Sequence, residues 1–392
     1  MKVAQITLNG YFNYGNILQK YALYQTLKKF VDDVTVLWYG PNNFTPEVGG
    51  NFSLIPQHVL RNNPFDYQRC SYYESARLTK FKEFAERNIK TRFHLPYLEE
   101  IADDYDFFVV GSDQVWNPND PSIPYPARFL EFVPREKKLA YAASIATPKI
   151  PDAFKEYFRQ GILSFDYVSV REEGAVKIVE ELTGKTPLLL LDPVLLLSAD
   201  EWKKIARPPS WFNEKYQRGY IFTYYLRNDP PLEINSVAAE LNLPVINALN
   251  FNNFNHSTIG IEEFLFLIMN ASLVYANSFH GIAFSILFKR PFINREYDDE
   301  STRSMSLRIP GLLKMFGLEN RIATADNGYK IDSPLEIDFS VRDKILPLER
   351  LKAFKFLADA LYNAADRAGG GCELISFANC IKYSPSYLDV AA

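Results

Sequence analysis

Four short segments hold residues that could do chemistry, and each follows an apolar, strand-like run. Ala276-Asn-Ser-Phe-His-Gly281 carries His280, whose imidazole titrates near neutrality and can give or take a proton. Of the chain's four histidines it is the one set between a strand-like and a helix-like run. Asn277, Ser278 and Phe279 flank it, and Gly281 would let a ligand approach the backbone. The alternative is a histidine that packs or caps a helix, the commoner fate of a lone imidazole. Val168-Ser-Val-Arg-Glu-Glu173 sets Arg171 at the start of a helix, where a cation opposes the helix dipole. Its planar fork there suits a carboxylate or phosphate. The alternative is a surface pair with Glu172 or Glu173. In Val109-Val-Gly-Ser-Asp-Gln-Val-Trp-Asn117, the groups of Ser112, Asp113, Gln114 and Asn117 could hold sugar hydroxyls, with Trp116 as a stacking face. An Asx-turn with Trp116 in the core is the alternative. Gly10-Tyr-Phe-Asn-Tyr-Gly-Asn16 places Asn13, Gly15 and Asn16 before a helix whose free N–H groups favour an anion. This is not the G-x-G-x-x-G pattern of dinucleotide sites, so a nicotinamide cofactor is disfavoured. Beyond His280 the basic residues Lys289, Arg290, Arg295, Arg303 and Arg308 follow. Arg303 and Arg308 lie in a Ser-rich segment that could close over an anion.

These segments need strands and helices to hold them. Strand-like runs cover Lys2–Thr7, Val34–Tyr39, Phe107–Val110, Lys138–Tyr141, Tyr167–Val170 and Leu188–Leu191. Helix-like runs between them cover Leu18–Phe30, Tyr73–Arg87, Asp152–Leu163 and Glu172–Leu182. Such alternation reads as a parallel sheet with helices on both faces. It breaks at Ser198–Gln217, around two adjacent prolines. It then restarts, with strands at Tyr220–Tyr225, Pro244–Asn247, Leu273–Ala276 and Pro291–Asn294. Helices are expected at Leu232–Leu241, Gly260–Asn270, His280–Phe288 and Ser304–Phe316, and a final helix or helix pair at Val341–Arg367. The reading is an α/β chain of two tandem domains, 1–198 and 218–340, joined by a linker at 199–217 and followed by a helix and irregular tail over 341–392. Parallel sheets bind ligands beyond the carboxyl ends of their strands, so the cleft between the domains is the expected site.

Composition sets bounds on partners. The 392 residues are 47% hydrophobic and 15% aromatic, enough for two packed cores. The net charge of −4 gives no general attraction for nucleic acid or anionic lipid, so a bound anion needs a local site. Three cysteines and four scattered histidines make neither a disulfide framework nor zinc spacing, which suits a reducing cytoplasm. No signal peptide or membrane-spanning run is evident.

Taken in order, NYGNxLQxYAL, VGSDQVWNP, YAAS, SVREE, LDPVLLL, GxxEFLxLI and SFHGIAFSILFKRPF resemble the polysaccharide pyruvyl transferase family, from Met1 to about Arg321. The resemblance implies two Rossmann-like domains facing a cleft, as in GT-B glycosyltransferases. It implies transfer of the pyruvyl group of phosphoenolpyruvate onto two hydroxyls of one sugar, giving a cyclic ketal on a cell-surface polysaccharide. No cofactor or metal is implied beyond phosphoenolpyruvate as donor substrate; the acceptor would be a lipid- or nucleotide-linked hexose. His280 would be the general acid or base. Arg171, Ser278, Phe279, Gly281, Arg303 and Arg308 would lie on the donor side. Asn13, Gly15, Asn16, Ser112, Asp113, Gln114, Trp116 and Asn117 would lie on the acceptor side. The chain departs from the family twice. Many members read Ser-Arg-Leu-His-Gly, and that arginine is Ser278 here, leaving Arg303 or Arg308 to replace it. Others carry Gly-Asp where this chain has Gly15-Asn16. Two rival readings stay open: a nucleotide-sugar glycosyltransferase with Glu262 or Glu263 on the ribose, and a non-catalytic sugar-binding protein.

Overall fold

The computed structural model describes residues 1–11, 13–39, 64–95, 97–119, 125–226, 231–295 and 308–367. Among these, twelve strands form two wholly parallel sheets. The first has seven strands in the order β3 (Thr91–Leu95), β2 (Asp33–Tyr39), β1 (Lys2–Ile6), β4 (Phe107–Asp113), β5 (Lys138–Ala143), β6 (Tyr167–Val170) and β7 (Leu188–Leu189). The second has five, in the order β12 (Ile322–Ala323), β11 (Phe292–Arg295), β10 (Leu273–Ala276), β8 (Ile221–Tyr224) and β9 (Val245–Asn247). The inner strands β1, β2, β4, β5, β8, β10 and β11 are almost unbroken runs of buried, mostly apolar residues, because helices cover both faces of a parallel sheet.

The helices of eight or more residues are α1 (Tyr14–Leu27), α2 (Pro64–Asn88), α3 (Asp152–Leu163), α4 (Glu173–Thr183), α5 (Glu233–Leu241), α6 (Ile261–Asn270), α7 (Phe279–Leu287), α8 (Arg308–Met315) and α9 (Ser340–Arg367). In α1, every residue from Tyr14 to Leu27 except Gln25 is buried. A helix buried all round has protein on every side, and here that protein is both sheets. The Tyr14 ring stacks on Phe264 of α6 at 4.2 Å, and its hydroxyl donates to Ile259 O at 2.7 Å. One apolar core therefore runs from Val3, Val34 and Val109 of the first sheet through α1 to Phe222, Val274 and Phe284 of the second half. Two further cores lie on the outer faces of the two sheets.

The alternation expected from sequence is present, with differences at two edge strands and in the linker; Ile322–Ala323 is an edge strand that was not expected. Thr91–Leu95 is an edge strand whose short, charged alternation gives little periodic signal. The stretch Ser198–Gln217 is not plain linker. It holds two short helices, Ala199–Lys203 and Glu214–Gln217, the first fixed by a Ser198–Glu201 capping box. The final segment, expected as a helix or helix pair, is one helix, α9, which runs through Pro347 and returns to the first sheet. Arg350 of α9 donates to Leu195 O at 2.6 Å and Leu197 O at 2.7 Å. The expected start of α8 and the tail with Cys372 and Cys380 lie outside the described residues.

Candidate active site

Each sheet reverses its strand order once: between β1 and β4 in the first, and between β10 and β8 in the second. At such a switch point the loops leave in opposite directions and open a crevice at the carboxyl ends of the strands. Here the two crevices contribute to one cluster. Gly15 follows β1, Asp113 ends β4, Arg171 follows β6, Asp192 lies just past β7, and His280 opens α7 after β10.

His280 is 6% exposed and lies directly against the first half. A methyl group added at Gly15 would stand 2.0 Å from His280 Nδ1, so only glycine leaves room for the imidazole. Nε2 points toward Asp192 Oδ2 at 3.8 Å and has no hydrogen-bond partner among the described residues. Asp192 is held in turn: its Oδ1 accepts from Val194 N at 3.1 Å and its Oδ2 from Arg171 Nη1. Arg171 Nη2 donates to Asp113 Oδ1 at 2.6 Å. Arg308 Nη1 stands 3.7 Å from the same oxygen. Phe279 lies between the two cations, its ring 4.9 Å from the Arg171 guanidinium and 5.6 Å from that of Arg308.

The charges interlock. Burial lowers the His280 pKa below the usual imidazole range, with Arg171 and Arg308 adding to the effect and Asp192 and Asp113 opposing it. Burial alone would raise Asp113, but Arg171, His280 and Arg308 outweigh it and hold its carboxyl below the ordinary value. Burial opposes the charge of Arg171, yet Asp113, Asp192 and Glu172 raise it well above the usual guanidinium value. Arg171 is thus a fixed cation between two carboxylates. The resting imidazole is neutral near pH 7, and a bound anion would draw a proton onto it.

The residues singled out from sequence divide into those at the cluster and those spent on the fold. His280, Phe279, Gly15, Asp113, Arg171 and Arg308 come together. Arg171 is neither a surface ion pair nor open to a ligand; its fork is taken by Asp113 and Asp192, and its side chain is fully buried. Trp116 is no stacking face: it is 0% exposed in the outer core of the first sheet, with its indole N–H donating to Arg128 O at 2.9 Å. Ser112 is also fully buried, its hydroxyl donating to Ala142 O at 2.8 Å. Gly111, at φ +130°, lies where a Cβ would meet Tyr141 O at 2.0 Å. Gln114 and Asn117 bond each other at 2.7 Å and are partly exposed. Asn13 caps α1, accepting from Gly15 N at 2.7 Å, while Asn16 is buried and donates to Leu8 O. Ser278 caps α7, and Gly281 makes room for Ala276, at 3.3 Å from an added Cβ, rather than for a ligand. Arg303 lies outside the described residues. Glu172, in the SVREE motif, anchors the turn after β5 by accepting from Ser144 Oγ, Ile145 N and Ala146 N.

The sequence model of the polysaccharide pyruvyl transferase family matches residues 13–299. The chain belongs to this family. A comparison with curated proteins found no match. Solved structures with an overall likeness to the chain include HepE from Anabaena in complex with UDP and glucose. It is 10% identical, with 94% of this chain and 99% of that chain covered and a TM-score of 0.48. Another is UDP-GlcNAc 2-epimerase from Neisseria meningitidis bound to UDP-GlcNAc, 11% identical, with 92% and 100% covered and a TM-score of 0.44.

For a pyruvyl transferase family member the site holds one residue that sequence reasoning passed over, Asp192. Its signal was the turn Leu191-Asp-Pro193, a capping carboxylate just past a strand. Glu262 and Glu263, suggested for a ribose, are engaged elsewhere. Glu262 pairs with Arg87 at 3.0 Å, and Glu263 pairs with Lys80 and accepts from Gly260 N at 2.6 Å. Among the described residues, no helix is long and apolar enough to cross a membrane.

Proposed function

We propose that the chain transfers the pyruvyl group of phosphoenolpyruvate to two hydroxyls of one sugar in a glycan precursor, with His280 as the proton-transfer group. The observation that carries this reading is the buried His280, set against Asp192 and flanked by Arg171 and Arg308 at the meeting of the two sheets. The donor brings a phosphate and a carboxylate. Arg308, the less buried of the two cations, meets that charge and takes the place of the arginine that Ser278 replaces. The incoming anion favours the imidazolium. His280 then gives its proton to the methylene carbon, which becomes the methyl group, and C2 becomes oxocarbenium-like. A sugar hydroxyl adds to C2 and gives up its proton to the now neutral imidazole. Phosphate leaves with the C–O bonding pair, and the second hydroxyl closes the ketal, its proton passing to the departing phosphate. Arg171 and Asp192 act by holding the imidazole and the local charge in place before the reaction begins. Proton transfer of this kind is typically worth about 10²–10⁴ in rate.

A thermal-shift titration with phosphoenolpyruvate and, separately, UDP tests the donor. Phosphoenolpyruvate at about 100 times its dissociation constant stabilises by about 2.7 kcal/mol. The expected result is a shift with phosphoenolpyruvate that Arg308→Ala removes, and release of phosphate with a glycan acceptor that His280→Ala abolishes. Arg171→Ala is a poor probe, because it strands two buried carboxylates. A shift with UDP and none with phosphoenolpyruvate overturns the reading.

A further inference from the structure

Beside the His280 cluster, under α1, a second group of buried polar side chains carries unpaired atoms. Gln5, Asn16, Lys20 and Trp38 are each 5% exposed or less. They are neighbours. Gln5 Nε2 donates to Lys20 O at 3.2 Å, and Gln5 pairs in register with Val36, two residues before Trp38. Asn16 and Lys20 lie one turn apart on α1. Lys20 Nζ is 5.0 Å from the centre of the Trp38 ring, which packs on Tyr11 at 5.1 Å. Gln5 Oε1, Asn16 Oδ1 and Trp38 Nε1 have no hydrogen-bond partner among the described residues. Lys20 Nζ forms no ion pair with the described residues; Asp113 acts on it only through space.

Buried polar atoms left unpaired are costly, and native folds keep few of them. Three around one buried lysine, between α1 and the strands β1 and β2, point to an occupant. The set contains two acceptors, the amide oxygens of Gln5 and Asn16, and two donors, the Lys20 amine and the Trp38 indole N–H. A phosphate or carboxylate only accepts and would leave both amide oxygens unpaired. A hydroxyl group both donates and accepts. We propose that Gln5, Asn16, Lys20 and Trp38 form a subsite for one hydroxyl-rich ring of the acceptor glycan, adjoining the His280 site through Asp113. The assignment rests on the pyruvyl-transfer reading for the identity of that ring as acceptor. Burial brings Lys20 down to about 7, with Asp113 opposing, so the amine is able to accept a hydrogen bond as well as donate one.

The test uses the full chain with ¹⁵N-labelled tryptophan indoles, the four signals assigned by substituting each tryptophan in turn. The probes are methyl glycosides of galactose, glucose, mannose and N-acetylglucosamine, titrated singly, and phosphoenolpyruvate alone. The expected result is a saturable shift of the Trp38 N–H signal with at least one glycoside and none with phosphoenolpyruvate. Lys20→Met should weaken that glycoside about tenfold, the usual size of one lost hydrogen bond to a charged group. If none of the glycosides moves the Trp38 signal, the occupant is ordered water and the proposal falls. If phosphoenolpyruvate moves it, the cluster is a donor site and the proposal also falls. Glycoside binding in a protein that fails to release phosphate from phosphoenolpyruvate would instead sink the reaction assigned above and leave the sugar subsite standing.

Discussion

At the scale of single residues, the site is defined by what each side chain is prevented from doing. Gly15 has no Cβ because His280 occupies that space. Helix propensity alone favours alanine there by about 1 kcal/mol. Gly15→Ala is nonetheless expected to destabilise by about 1–3 kcal/mol through overpacking, and to lower kcat by displacing the imidazole. Urea unfolding and steady-state kinetics on the same preparation check both. Asp192 raises the His280 pKa against the pull of burial. If His280 must be protonated to act, activity falls as pH rises through its pKa in the bound enzyme. Asp192→Asn removes the supporting charge and should move that alkaline limb to lower pH while reducing kcat. A pH profile of kcat that falls in amplitude without moving its limb would leave Asp192 a purely structural role.

At the scale of elements, the strand–helix alternation was legible because buried parallel strands write themselves as apolar runs, and Tyr167–Val170, Asp152–Leu163 and Leu273–Ala276 were placed to the residue. The junction that carries His280 could be found for the same reason. Other features were not legible. Whether Trp116 faces a ligand or the core depends on packing from Phe129 and Phe165, both distant in space until the sheet forms. The carboxylates that claim Arg171 come from 58 and 21 residues away, so no local spacing announces them. The return of α9 to the first sheet is also non-local. Arg350 is its main polar tie, holding Leu195 O and Leu197 O. Arg350→Met should cost about 1–3 kcal/mol in urea unfolding, because both carbonyls lose a charged donor. Lys352, which reaches Leu189 O from an exposed position, is the comparison, and Lys352→Met should cost less.

At the scale of the whole molecule, acid is the expected weakness. His256, half-stacked on Trp211 and buried, has its pKa pushed from 6.5 down to about 4 by burial, with Lys215 adding to it. The unfolded chain binds the proton that the folded chain refuses. Stability is therefore complete above about pH 6.5 and is lost as pH falls toward 4, by up to about 3 kcal/mol. His280, also lowered, acts in the same direction. Urea midpoints measured from pH 7 to 4.5 should fall, and His256→Phe should flatten the fall. The two sheets look like separable modules, yet α1 is packed into both, and one apolar core passes through it from end to end. This bears on how such a chain can change through descent. Its first 27 residues supply the keystone for a sheet that begins only at Ile221. A crossover that paired one parent's front half with another's back half would have to match Tyr14 to Phe264 and Gly15 to His280 at once. New specificities are therefore reached by substitution within an intact chain more readily than by shuffling of its halves.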